Sequence, residues 1–334
     1  MVMTQTNTAP ADRTQTNTAP ADRTQADTAP ADTARTDTAR SAARTAEAGS
    51  AAAGSAAEAM TVVVTGASGR SGRRVAEAAR AAGLTVRAAS RATGFDWGDR
   101  TTWAGTLRGA DAAYLVYPSD IGAPDAAEAV GALAREAVGL GVRRLVLLSA
   151  RGQDQARPAE EALAGSGARW TVVRAAWFAQ NFSEGPLVEG LRTYGELVFP
   201  AGEVAEPFVD LRDVADVVLA VLTSGDRYAG RVLEVAGPRL LTFGAAVAEI
   251  ATETGRALTY RAVSPQEYGA VLAGFGIPER EAAFLVELFA SLLDGRNARL
   301  SDGLDRVLGR GPRDFREFVR EGVRAGTWRE RPAA

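Results

Sequence analysis

The stretch TVVVTGASGRSGRR, Thr61 to Arg74, constrains the fold of this chain more than any other. Its first five residues are β-branched and read as a short buried strand. Gly66, Gly69 and Gly72 follow, and Val75 with Ala79 carry a helical period beyond them. A strand that runs through a glycine turn straight into a helix is the opening of a βαβ unit, because parallel strands need a crossover between them. Arg70, Arg73 and Arg74 crowd the start of that helix, where the macrodipole is already positive. Charge placed there requires a negative partner.

The alternation continues down the chain. LTVRAAS reads as a second strand and TGFDW as a short strand-like piece leading to a helix near Asp99 to Leu107. AAYLVYP is a strand, Ala123 to Leu140 a long helix, VRRLVLLSA a strand, Pro158 to Gly165 a helix and ARWTVVRAAWF a strand. EPFVDLRDVADVVLAVL reads as strand then helix, RVLEVAG and GRALTYRAV as strands, and the last hundred or so residues as mostly helical. The expected fold class is α/β: a doubly wound parallel sheet with a smaller, mostly helical C-terminal part. The expected division is a tail at 1–59, a dinucleotide-binding core at 60–182, and the remaining core elements with the C-terminal part at 183–334.

The tail differs in kind. TQTNTAPADR occurs at Thr4 to Arg13 and again at Thr14 to Arg23, followed by the degraded copy TQADTAPADT. So short a period without large apolar residues has no face to bury, and disorder is expected. Met60 stands one residue before the first strand, and it is expected to be the true or ancestral start, with the repeat an appended tail. No apolar run reaches the length of a membrane span, and no targeting signal is evident, so a cytoplasmic location is expected.

Three absences narrow the chemistry. The chain of 334 residues has no cysteine, no histidine and no lysine; all 38 basic residues are arginine. Thiolate and imidazole metal sites, thiol nucleophiles, Ser-His-Asp triads, Walker loops and Schiff-base lysines are therefore excluded. The net charge of -3 does not suggest a nucleic-acid binder, and no metal is expected. Proton chemistry is left to Asp, Glu, Tyr, Ser, a cofactor or water.

In its strand-turn-helix frame the run Gly66, Ala67, Ser68, Gly69, Arg70, Ser71, Gly72 fits a dinucleotide pyrophosphate, met by free amides at the helix start. Arg70, inside the turn, is expected to contact a bound phosphate, while Arg73 and Arg74, after the last glycine, read as facing water. The end of the second strand, VRAASRATG, carries Arg87, Ser90 and Arg91 and no acid before Asp96. An acid there would bind a ribose diol; arginine instead suits a 2′-phosphate. NADP(H) is expected over NAD(H), with Arg91 ahead of Arg87.

VVVTGASGRSGRRV, VRAASR, FDW, AAYLVYP, LVLLSA, EEALAGSGARWTVVRAAWFAQNF, PFVDLRDVADVVLAVL and GPRLLTF follow in order the pattern of NmrA-like atypical short-chain dehydrogenases. The closing GIPEREAAFLVELFASLLDGRNARLSDGLDRVLGRGPRDFREFV resembles bacterial relatives of the ergot-alkaloid reductases of the festuclavine dehydrogenase type. The resemblance implies a Rossmann fold with a substrate-binding C-terminal part, and that Gly66 to Gly72 bind pyrophosphate and Ser90 and Arg91 the adenosine phosphate. It also implies Asp96 and Trp97 beside adenine, and Val116, Tyr117, Pro118 and Ser149 along ribose and nicotinamide. Trp177, Phe178 and Asn181 would line the substrate pocket. The Tyr-x-x-x-Lys pair of short-chain dehydrogenases is impossible here without lysine.

Direct hydride transfer to a small acceptor that is already electrophilic, such as an iminium ion, enone or quinone, needs little acid-base help. Tyr117 and Glu160 are the polar candidates for a catalytic role, and each reads first as structural or pocket-lining. The alternative is a dinucleotide-binding redox sensor without turnover. Asp210 and Asp213, at a helix start, read first as capping or interdomain residues. The basic C-terminal run, interleaved with Asp and Glu, reads as a solvated helix. The sequence leaves the oligomeric state open.

Overall fold

The computed structural model describes residues 59–118 and 120–330. The expected disordered tail falls, but for its last residue, outside the described residues. The first unit is β1 (Thr61–Thr65), α1 (Arg70–Ala81) and β2 (Thr85–Ala89). After it come α2 (Trp103–Leu107), β3 (Ala112–Leu115), α3 (Ala126–Gly139), β4 (Arg144–Ala150), α4 (Arg157–Ala164) and β5 (Arg169–Ala175). The chain continues through α5 (Pro186–Thr193), β6 (Glu196–Phe199), β7 (Ala205–Glu206), α6 (Leu211–Thr223) and β8 (Arg231–Val235). The last elements are β9 (Leu241–Thr242), α7 (Phe243–Thr254), β10 (Thr259–Ala262), α8 (Pro265–Gly274), α9 (Glu279–Leu292), α10 (Gly303–Leu308) and α11 (Phe315–Arg324).

Six strands form one parallel sheet in the order β2-β1-β3-β4-β5-β8. Strand alternation sends neighbouring apolar residues to opposite faces. Val62, Val64, Val146 and Leu148 pack with Val75 of α1 and with α6, while Val63, Leu145 and Leu147 pack with α2, α3 and α4. Both faces are covered, as an all-parallel sheet requires. The order reverses between β1 and β3, and ligands of such sheets bind beyond the C-terminal ends of the strands at that reversal.

A third core belongs to the C-terminal part. Trp177, Phe182, Phe199, Phe208, Phe243, Phe289, Phe315, Phe318 and Trp328 gather there in one cluster. Two small sheets frame it: β6 with β10, parallel, and β7 with β9, antiparallel. The basic C-terminal run, read as a solvated helix, is solvated on one side alone: α11 exposes Arg316, Glu317, Arg320 and Glu321 and buries Phe315, Phe318 and Val319.

Some local expectations change. TGFDW is a turn with an isolated bridge between Asp96 and Asp99 rather than a strand, because Trp103 Nε1 and the Thr102 hydroxyl occupy the Asp96 carbonyl. The strand ARWTVVRAAWF stops at Ala175. Pieces as short as β7 and β9 have no periodicity to read.

Candidate active site

The glycine turn is built by close approach. Thr65, at the end of β1, is fully buried, and its hydroxyl accepts from Val116 N at 2.7 Å, which holds the ends of β1 and β3 together. Gly66 turns with φ +62, and a Cβ there would meet Val116 Cβ at 3.3 Å. A Cβ on Gly72 would stand 2.2 Å from the Gly66 carbonyl oxygen, so α1 rests directly on the turn. No side chain caps α1 at Gly69, and its first turn carries no acid. Its first amides thus keep the anion-binding potential of a free helix start. Ser68 is exposed and Ala67 half-buried on this turn. Ser71 faces inward instead, its hydroxyl 3.5 Å from that of the buried Tyr114.

The three arginines find their negative partner within the chain. Arg73 Nη2 and Arg74 Nη2 each lie 2.5 Å from the Glu184 carboxylate. Arg70 Nη1 donates to Asn181 Oδ1 at 2.6 Å and to the Glu184 carbonyl at 2.8 Å. Burial draws the Arg70 guanidinium down to about 10, against the pull of Glu184 and with that of Arg74 and Arg73. Burial also opposes ionisation of Glu184, yet hydrogen bonds and charge from Arg74 and Arg73 hold it below the usual carboxylate range. Glu184→Ala is expected to cost about 1–2 kcal/mol, read as a lowered urea midpoint, because three cations would lose their common anion.

The end of β2 separates its two arginines. Arg87 Nη1 donates to the carbonyls of Thr106 at 2.5 Å and Arg108 at 2.9 Å, so it closes the end of α2. Arg91 is exposed and makes no side-chain hydrogen bond or ion pair among the described residues. Ser90 starts the 3₁₀ turn that carries Arg91, its amide bonded to the Thr93 hydroxyl at 2.9 Å. Asp96 holds the next turn through Gly98 N at 2.8 Å. Trp97 stands edge-on to Phe95, Trp103 and Tyr117, the last at 5.2 Å between centroids. The ends of β2 and β3 thus share one aromatic patch.

Beyond β3, Val116 and Tyr117 are buried and Pro118 is exposed. Burial, with Asp125 beside it, pushes the Tyr117 phenol up, so it stays protonated. Ser149 donates to Glu160 Oε1 at 2.5 Å, and Arg174 grips both Glu160 oxygens, at 2.9 Å and 2.5 Å. Glu160 is therefore a brace between α4, β4 and β5, not a free proton donor.

Beyond β5 the expected pocket residues are core. Trp177 and Phe178 are only 3% and 1% exposed. Trp177 packs on Phe199, Phe243 and Phe289, while Phe178 turns into the sheet core. Asn181 is buried and spent on Arg70. Asp210 caps α6 by accepting from Arg212 N at 2.8 Å, and Asp213 accepts from Arg310 at 2.8 Å and from Arg313 N at 2.7 Å. Both expectations for these acids therefore hold in the structure.

A second polar group gathers at the ends of β4 and β5 that sequence reasoning missed. Arg151 follows β4, its amide bonded to the Ala175 carbonyl at 3.0 Å. Arg151 Nη1 donates to the Arg299 carbonyl at 2.7 Å, Nε lies 3.2 Å from Glu234, and Asn297 Nδ2 donates to the Arg151 carbonyl at 2.9 Å. Glu206 on β7 is fully buried, and neither carboxylate oxygen has a hydrogen-bond partner. Burial pushes its carboxyl up to about 7, opposed by Arg151 and Asn297 and helped by Asp294. The one signal in the sequence was an acid inside an otherwise β-forming run.

No protein-family model matches this sequence. The chain is 32% identical over 287 residues to the (4-alkanoyl-5-oxo-2,5-dihydrofuran-3-yl)methyl phosphate reductase of Streptomyces griseus, covering 79% of this chain and 98% of that one. It is 30% identical over 281 residues to the agroclavine dehydrogenase of Claviceps fusiformis, covering 78% and 96%. Among solved structures it resembles the NADPH-dependent quinone oxidoreductase QOR2 of Escherichia coli in complex with NADPH. That match has a TM-score of 0.64 at 22% identity over 79% of this chain and all of that one, and it supports the fold. Among the described residues no helix is long and apolar enough to cross a membrane, and no cluster of His, Cys, Asp and Glu could hold a metal ion. With two relatives at this identity aligned along nearly their whole length, the chain belongs to the NmrA-like family of atypical short-chain dehydrogenases/reductases.

Proposed function

We propose that this chain is an NADP(H)-dependent reductase of small, preactivated acceptors. The observation that carries the proposal is the uncapped start of α1, seated on the Gly66 turn at the point where the sheet order reverses. That arrangement fits a dinucleotide: the turn admits a pyrophosphate and the first amides of α1 bind it. The bound dinucleotide supplies a hydride.

The remaining roles follow from position. Ser90 and the unpaired Arg91 bind the 2′-phosphate, and the Trp97 and Asp96 turn flanks the adenine. Val116, Tyr117 and Pro118 flank the ribose and nicotinamide. Ser149, tied to Glu160, fixes the end of β4 beneath them. The acceptor class rests on the missing Tyr-Lys pair and on the relatives' substrates. One relative is named for a dihydrofuranone with an alkanoyl group on its ring, an alkene next to carbonyls.

Steady-state NADPH and NADH oxidation with quinones, enones and cyclic iminium ions tests the proposal. Turnover with at least one class, faster with NADPH, is expected. Arg91→Ala should weaken NADPH binding roughly 10- to 100-fold, the loss of one charge-assisted phosphate contact, with NADH little changed. Dinucleotide binding without turnover across the panel would point instead to a sensor. An unchanged NADPH to NADH ratio in the variant would show the 2′-phosphate lies elsewhere.

A further inference from the structure

Buried polar atoms without partners concentrate in one place. Of eight such side-chain atoms among the described residues, five belong to Arg151, Gln153 and Glu206, and one of these, Arg151 Nε, lies within ion-pair distance of Glu234 at 3.2 Å. Backbone bonds draw these residues to one edge: Arg151 to Ala175 at 3.0 Å, and Val209, three residues past Glu206, to Trp177 at 2.8 Å. This is the C-terminal edge of β4 and β5, the side of the sheet that carries the glycine turn. A buried group left unpaired costs about 1–3 kcal/mol, so a cluster of them marks a place where a ligand completes the bonding.

The charged groups around Glu206 come from three directions. Arg151 follows β4; its Nη2 makes no hydrogen bond, and its Nε is ion-paired with Glu234 at 3.2 Å. Asp294 stands with Asn297 between α9 and α10, and Glu234 of β8 and Arg299 act through Arg151. Arginine beside the carboxyl favours its ionised form, while burial and Asp294 favour the protonated one. Such a group can both hold a proton and release it.

We propose that Glu206 is the proton donor for reduction of carbonyl-conjugated acceptors by this chain, with Arg151 stabilising the carboxylate that remains. The proposal rests on the reductase function above. Reduction of an enone or quinone adds one hydride and one proton. The hydride is the dinucleotide's contribution. Glu206 breaks its O–H bond and gives that proton to the oxygen or carbon left negative, and its carboxylate regains a proton from water after product leaves. An iminium ion takes the hydride alone and makes no demand on Glu206.

Glu206→Gln tests this in the full chain. Turnover of quinones or enones should fall about 10²-fold or more, the usual contribution of a positioned acid, while iminium reduction falls less than about fivefold. In the wild type, kcat for the quinone should decline as pH rises through the range in which Glu206 loses its proton, and the variant should lack that limb. Infrared difference spectra between pH 5 and pH 9 should show a carboxylic acid C=O band absent from the variant. Equal losses on both acceptor classes would show a merely structural role and overturn the proposal. So would an unchanged quinone rate, or spectra identical in wild type and variant. A wild type that turns over no acceptor overturns the reductase function, and the donor role falls with it.

Discussion

Gly72→Ala is expected to destabilise the chain by about 3 kcal/mol or more and to lower dinucleotide affinity at least about tenfold. The added Cβ would stand 2.2 Å from the Gly66 carbonyl oxygen and 2.6 Å from its carbon. Both are backbone atoms of a turn fixed on its other side by Thr65 and Val116, so neither can yield cheaply. The alternative is to lift α1 off β1, which opens the packing of Val75 and Ala79 against the sheet. Overpacking of this kind costs about 1–3 kcal/mol where side chains can move, and more where backbone must. The same substitution at Gly139, the last residue of α3, meets nothing within 4 Å and should be neutral or stabilising by up to about 1 kcal/mol. Urea unfolding of the two variants, with dinucleotide titration by fluorescence, gives the comparison. Equal stabilities would mean that the close approach is not what holds the turn.

Glu206→Gln is expected to raise stability at pH 8 and leave it nearly unchanged at pH 4. The folded chain holds the Glu206 proton up to about pH 7, against an ordinary value of 4.5. Between these values the unfolded state binds fewer protons than the folded one, so stability falls as pH rises, and the loss is complete above pH 7. Burial of a carboxyl without partners makes this loss roughly 2–4 kcal/mol. Glutamine does not ionise and escapes it. Glu184, Asp210 and Asp314 are shifted the other way, and their contribution grows as pH rises through the acid range. It is common to wild type and variant and cancels in the difference. Urea midpoints of both proteins from pH 4 to pH 8 measure it, and parallel curves would place the Glu206 carboxyl in contact with water.

The arginines at the start of α1 show how far sequence reaches. A bound phosphate is the partner expected for Arg70, and water for Arg73 and Arg74. The structure supplies Glu184 and Asn181, more than a hundred positions away in the chain. That pairing does not oppose a dinucleotide, since the amides of α1 stay uncapped beside it. It does fix where the segment after β5 must sit. Trp177 and Phe178 were misread for a related reason. Aromatic residues just past a strand end look the same in sequence whether they line a pocket or fill a core, and only Phe199, Phe243 and Phe289 decide the matter.

What the sequence determined by itself was local and periodic: the strand, glycine turn and helix of the first unit, the alternation that makes a parallel sheet, and the exclusion of lysine, cysteine and histidine chemistry. These follow from side-chain shape and spacing within a few residues, which any fold must respect. The tertiary structure alone decided which charges meet. Glu160 became a brace because Arg174 of the neighbouring strand reaches it, and of the two arginines near the end of β2 it is Arg87, not Arg91, that meets the Thr106 and Arg108 carbonyls at the end of α2. Glu206 is buried with Arg151 and Asn297, brought from distant segments, as the groups that act on its carboxyl. Burial and long-range pairing depend on the packing of distant segments, and no window of the sequence contains both sides of such a contact.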